Sequence, residues 1–163
     1  MEITQELLKE LFDYDNGNLI WKKKTLPKSN VKIGSISGTM GTHGYIQTGL
    51  FGKLYLNHRL VWIYHYGYWP TDQLDHINRI RTDNRIENLR ECSNSENNQN
   101  KSMRSDNKSG VSGVSWYKKG NKWQSQLKIN GKLIHLGYFD TIDNAKLVYD
   151  NAKEKYHEFN TRL

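Results

Sequence analysis

The spacing of apolar positions changes repeatedly along the chain, and each change predicts an element. Over residues 2–12 the apolar side chains of Ile3, Leu7, Leu8, Leu11 and Phe12 recur at helical intervals, with Thr4 placed to cap the helix. Asp15-Asn-Gly17 predicts a tight turn, and residues 18–22 form the returning strand of a hairpin. Residues 33–55 are rich in glycine and aromatics, which predicts short strands turning at Gly34, Gly38, Gly41, Gly44, Gly49 and Gly52. No Gly-Lys-Ser/Thr follows them, so they are scaffold rather than a phosphate-binding loop. Residues 57–65 return to a helical period, with Leu60, Val61, Ile63 and Tyr64 as the apolar stripe. Asn57 is the expected cap, and Gly67 and Pro70 the stop.

Residues 74–77 and 89–92 predict two short strands around a polar loop. A helix opens at Ser93, where Ser93 and Glu96 have the spacing of a capping box. Residues 101–109 (KSMRSDNKS) lack an apolar period and predict a basic linker. Residues 111–118, 122–129 and 132–138 then alternate as strands, the last two flanking Asn130-Gly131, a strong hairpin signal. A two-residue turn there sets Leu127 opposite Ile134 and Trp123 opposite Tyr138 on one face. Gln126 then faces His135 on the other, beside Gln124 and Lys128. From Thr141 the period is helical, with Ile142, Ala145, Val148, Tyr149, Ala152 and Tyr156 able to cover the apolar face.

With 163 residues the chain can form one medium domain or two small ones, and a segment of about 50–60 residues can just hold its own core. The formal net charge of +7 calls for an anionic partner without identifying it. Residues 108–139 hold six lysines and no acid, whereas Asp140, Asp143, Asp150, Glu154 and Glu158 fall on or beside the last helix. A basic sheet backed by an acidic helix suits a strand ribbon laid in a DNA groove; the plainer alternative is a solvated sheet face. The basic triplet Lys22, Lys23 and Lys24 is equally a solvated strand end or a phosphate contact. Cys92 is the only cysteine, which excludes a disulfide framework and a cysteine-built zinc site. No apolar run approaches the roughly 18 residues of a membrane span, and the acidic start MEITQELLKE is unlike a signal peptide. A soluble protein of a reducing, intracellular compartment, with no membrane partner, is expected.

The candidate chemistry lies in residues 74–101. Hydrolysis of a phosphodiester needs a nucleophilic water, a proton acceptor, and positive charge for the developing anion and the leaving oxygen. His76 is the type of side chain that titrates nearest working pH, which suits a general base. Asp75 and Asn97 offer hard oxygen ligands for Mg²⁺ or Mn²⁺, with waters and phosphate oxygens completing the shell. Asn88 is placed to orient the imidazole. Arg79, Arg81, Arg85 and Arg90 are candidate DNA-backbone contacts, each equally readable as a solvated charge. Eight Asn lie from Asn78 to Asn107, so the plain alternative for the whole set is an Asn-rich polar loop. Neighbours on a strand point to opposite faces, so Asp75 and His76 converge on one phosphate only where the strand ends or distorts. His58, in the first turn of its helix, reads first as a packed or hydrogen-bonded histidine and second as a chemical group.

At these residues the chain resembles the HNH endonucleases, specifically the phage homing type. The resemblance rests on His58-Arg-Leu-Val-Trp62, Asp75-His-Ile-Asn78, Asn84-Arg-Ile-Glu-Asn-Leu-Arg90 and the Ser/Glu/Asn helix that follows. Asn88 lies thirteen and Asn97 twenty-two residues after Asp75. The resemblance implies a small ββα-metal nuclease domain. In it the histidine of the Asp-His pair is the base, the aspartate binds one divalent metal, and the asparagine of Glu-Asn-Leu-Arg supports the site. The family's third position is often His; Asn97 stands there as in some homing members, an oxygen ligand but not a cationic acid. Residues beyond the linker resemble the AP2 DNA-binding domain through Ser-Gly-Val114, Lys-Trp123, Leu-Gly-Tyr-Phe139, the Ala145…Tyr149-Asp150…Ala152 helix and Asn160. That resemblance implies a sheet reading the major groove through Ser115, Tyr117, Lys119, Gln126, Lys128 and His135, with Gln124 beside them. The family's usual arginines are largely replaced, which points these polar residues toward phosphate positioning.

The expectation is an α+β chain. A ββα-metal (HNH) nuclease domain with an N-terminal helix and hairpin spans residues 1–101, and a linker spans 102–109. A three-stranded antiparallel sheet packed on one helix spans 110–163. The expected activity is site-specific cleavage of double-stranded DNA with one Mg²⁺ or Mn²⁺ and no zinc. A monomer with one active site nicks one strand; a double-strand break takes two chains or two events. Phage encoding, implied by the resemblance, places the protein in the cytoplasm of a bacterial host. The rival readings are a DNA-binding regulator with an inactive HNH domain and an RNA-acting enzyme.

Overall fold

Thr4 accepts a hydrogen bond from the Leu7 amide at 3.3 Å and so caps the first helix, α1 (Gln5–Leu11). In the computed structural model, which describes residues 2–26, 29–100, 103, 106–129 and 131–157, this helix begins a mixed α+β chain. Among the described residues there are four α-helices and four small antiparallel sheets. The chain divides into two units, Met1–Ser93 and Asn94–Leu163.

In the first unit, Phe12 leaves the helix. It opens β1 (Phe12–Asp15) and pairs with Trp21 at the end of β2 (Asn18–Trp21), the two rings 4.4 Å apart. The turn between these strands holds Asn16 and Gly17 in the left-handed region. A side chain on Gly17 would also place Cβ 2.7 Å from the Arg85 amide nitrogen, so glycine is what lets this hairpin lie against the polar loop. The Tyr14 hydroxyl ties the same surfaces together by accepting from the Ile86 amide at 3.1 Å. Of the basic triplet, Lys22 pairs with Asp13 and Lys23 with Glu10.

The glycine-rich segment forms β3 (Thr39–Met40), β4 (Ile46–Leu50) and β5 (Lys53–Leu56). Gly49 lies inside β4 opposite Leu54 rather than at a turn; the chain reverses at Phe51-Gly52. Helix α2 (Asn57–Tyr66) follows directly, ending at Gly67. Asn57 is not its cap, because the position before the helix is Leu56. The buried Asn57 side chain instead accepts from Thr48 Oγ1 at 2.7 Å and donates to the Ser37 carbonyl at 3.2 Å. Leu60, Val61 and Ile63 of α2 pack with Leu8, Leu11, Phe12, Leu19 and Leu50 into one core. Against that core lie β6 (Gln73–His76) and β7 (Leu89–Cys92), joined by a polar loop that ends in a single 3₁₀ turn, Ile86–Asn88.

The second unit starts with α3 (Asn94–Asn100), followed by β8 (Val114–Tyr117), β9 (Lys122–Ile129) and β10 (Lys132–Phe139) in the order β10-β9-β8. Helix α4 (Ile142–Tyr156), capped by Thr141, packs on all three strands and buries Ala145 with Val114, Ser125 and Leu127. β8 starts at Val114 rather than Val111. Before it, Gly113 is left-handed, and its backbone lies so close to the Tyr149 ring that a Cβ there would overlap it. Asn107 and Ser109 are hydrogen-bonded toward this strand: Asn107 Nδ2 donates to the Val111 carbonyl at 2.9 Å and Ser109 Oγ to the Val114 carbonyl at 2.6 Å.

The β9–β10 register holds Ile134 opposite Leu127 and His135 opposite Gln126, as the alternation predicts. It then slips. A bulge between His135 and Gly137 inserts one residue, so Phe139 faces Trp123 and Tyr138 faces Gln124. Tyr138 therefore sits on the polar face, not the apolar one. Of the residues named from sequence, Asn130, Glu158, Asn160 and linker residues 101, 102, 104 and 105 lie outside the described residues.

Candidate active site

Strand β6 ends at His76, which is the condition for Asp75 and His76 to serve one phosphate. Both side chains are buried. Asp75 lies opposite Arg90 across the β6–β7 pair, and Arg90 holds one carboxylate oxygen, Oδ2, with Nε at 3.2 Å and Nη2 at 2.9 Å. The guanidinium offsets the burial of the carboxylate and fixes its orientation. Arg90 is thus an internal partner of Asp75.

Nε2 of His76 lies 3.0 Å from the side-chain oxygen of the buried Asn84. An amide oxygen accepts, so this contact puts the ring proton on Nε2 and leaves the basic lone pair on Nδ1. Burial holds the His76 pKa below its ordinary value; the Asn84 contact, Asp75 and Asp83 pull it up, and Arg81 pushes it down. The neutral ring, able to accept a proton, is thereby favoured.

Asn88 works one step further back. Its Oδ1 accepts from the Asn78 amide at 3.0 Å, and its Nδ2 donates to Asn78 Oδ1 at 3.0 Å and to the Asp83 carbonyl at 2.7 Å. Asn78 Nδ2 in turn donates to Asp83 Oδ2 at 2.6 Å. These bonds close the loop that carries Asn84 to His76. Asn84 is within the quoted motif but its role is invisible in sequence; only the loop's closure brings it back to the imidazole.

The arginines of the loop differ in what they do. Arg85 chelates Asp83 at 2.8 and 2.7 Å, and that contact holds the Asp83 carboxyl at about 2. Exposed Arg81 donates to the His43 carbonyl at 2.7 Å and lies 5.0 Å above the Tyr45 ring. Arg79 is exposed at a left-handed position. Among the described residues no group of three or more His, Cys, Asp and Glu side chains gathers as a metal site. One oriented carboxylate suits a hard cation that keeps most of its shell as water and phosphate oxygen.

In the second unit Asn97 stands half-buried on α3. The register puts Ser115, Tyr117, Gln124, Gln126, Lys128 and His135 on one face of the sheet, with exposed Lys119 in the turn after β8. Tyr138 joins them, 4.5 Å from the His135 ring and 4.8 Å from Tyr117, while Gln124 Nε2 meets His135 Nδ1 at 3.3 Å.

Residues 55–99 match the family model described as HNH endonuclease. The matched stretch runs from the end of β5 into α3 and includes Asp75, His76, Asn84, Asn88 and Asn97. An HNH endonuclease domain supports a nuclease acting on DNA. No curated protein and no solved structure matches the chain.

Proposed function

We propose that the chain is a site-specific, divalent-metal-dependent DNA endonuclease of the homing type. The observation that carries this reading is the setting of His76. It is a buried imidazole turned by Asn84 so that Nδ1 can accept a proton, next to an aspartate oriented by Arg90, inside the matched stretch. His76 takes the proton from the attacking water. Asp75 holds Mg²⁺ or Mn²⁺, and Asn97, by its place in the motif, is the second oxygen ligand. A bound divalent cation supplies positive charge for the developing anion and the leaving oxygen. Asn88 supports the base through the loop that ends in Asn84, and Arg79 and Arg81 meet the DNA backbone. Arg85 serves there too while bound to Asp83.

Residues 110–163 are proposed to be an AP2-like DNA-binding domain, joined to a nuclease domain over 1–101 by the linker 102–109. The polar face of the AP2-like domain supplies affinity and register through Ser115, Tyr117, Lys119, Gln124, Gln126, Lys128 and His135. One centre per chain nicks one strand as a monomer, in the cytoplasm of a bacterial host. The test is end-labelled duplex DNA carrying the gene's own flanking sequence, incubated with Mg²⁺, Mn²⁺ or EDTA. Discrete metal-dependent cuts on one strand support the reading. Tight binding without any cut would favour a regulator with an inactive nuclease domain, and preference for RNA would move the substrate.

A further inference from the structure

His58 is the second residue of α2, buried to 5 % exposure, and its Nδ1 is enclosed without a hydrogen-bond partner among the described residues. A buried imidazole nitrogen with no partner costs stability, so an apolar side chain would be the cheaper filler here. What the ring does have is aromatic neighbours. It meets the His76 ring edge-on, 5.0 Å between centroids at 78°, and the Tyr45 ring at 5.2 Å. Tyr45 itself touches His76 at 5.9 Å and carries the Arg81 guanidinium above it.

Asn84 accepts from Nε2 of His76 and so fixes one atom of the ring. Fixing its plane takes a second contact away from Nε2, and α2 and the loop entering β4 each provide a ring there. Burial, followed by the charges of His76 and Arg59, holds the His58 pKa at about 3. The side chain is therefore neutral at working pH and too weak a base to compete for the water's proton.

We infer that His58 is a positioning residue: its ring, edge-on to His76 and backed by Tyr45, sets the plane in which the base meets its water. This rests on the reading of His76 as general base. The test is single-turnover cleavage by the full chain with Mg²⁺, beside DNA affinity and melting temperature, for His58→Leu, His58→Phe and His76→Ala. Leucine keeps volume but loses the ring; it should slow cleavage by about 10- to 100-fold, as small misplacements of catalytic groups do, with DNA affinity unchanged. Phenylalanine keeps the ring and should restore cleavage to within a few-fold of wild type. Wild-type speed in His58→Leu, or a His58→Phe as slow as His58→Leu at wild-type melting temperature, would overturn the inference while inactive His76→Ala leaves the base in place. Wild-type cleavage by His76→Ala would remove the base assignment and this inference with it.

Discussion

Arg90 and Asp75 illustrate how much one pair of residues decides. The sequence offers Arg90 as one of four candidate arginines, three in the polar loop and Arg90 on the strand after it, without saying what it faces. Strand pairing does: the β6–β7 register sets it opposite Asp75, and only then is it the aspartate's partner. Arg90→Ala leaves a buried carboxylate without its guanidinium and should cost about 3 kcal/mol, read by urea denaturation. His58 gives a pH prediction. Its folded pKa, about 3, lies below an ordinary value of 6.5, so between those limits the unfolded chain binds more protons. The stability it contributes is present above pH 6.5 and lost as pH falls toward 3. Urea midpoints measured across that window should fall less steeply with acidification in His58→Phe than in wild type. Asp75 and His76 were legible as a candidate pair because they are adjacent in sequence and of types suited to metal binding and proton transfer. Asn84 and Tyr45 were not, because they reach the imidazole through loop closure and packing from distant positions.

At the scale of elements, alternation and capping residues predicted the hairpins and helices well, and boundaries moved by a residue or a few. The failures have local causes. Asn57 is drawn into the core by Thr48 and Ser37, so it no longer caps α2. Simple alternation has no way to register the extra residue near Gly137, which carries Tyr138 to the other face. Tyr138→Ala should therefore change melting temperature little, yet weaken DNA binding; a large loss of stability would return Tyr138 to the apolar side. Gly113 and Gly110 are both left-handed at φ 70°, but only Gly113 has neighbours where a Cβ would go. Gly113→Ala should cost about 2 kcal/mol more than Gly110→Ala, the difference being overpacking against Tyr149 and the Gln126 carbonyl.

For the whole molecule, charge and motif pointed to nucleic acid before any fold was known. The net charge of +7 and the lysines of residues 108–139 predict duplex binding whose affinity falls steeply as salt rises. Neutralising Lys119 and Lys128 should lower the slope of log affinity against log salt by about 2, if each meets one phosphate. Among the described residues, no helix is long and apolar enough to cross a membrane.

The central claim is that His76, beside Asp75, drives metal-dependent hydrolysis of DNA. The most direct measurement is conversion of supercoiled plasmid bearing the target to nicked circles by wild type and His76→Ala, each with Mg²⁺ or with EDTA. Nicking by wild type that needs Mg²⁺ and disappears in His76→Ala is the predicted result. Nicking that persists in His76→Ala, or that EDTA leaves untouched, would contradict it.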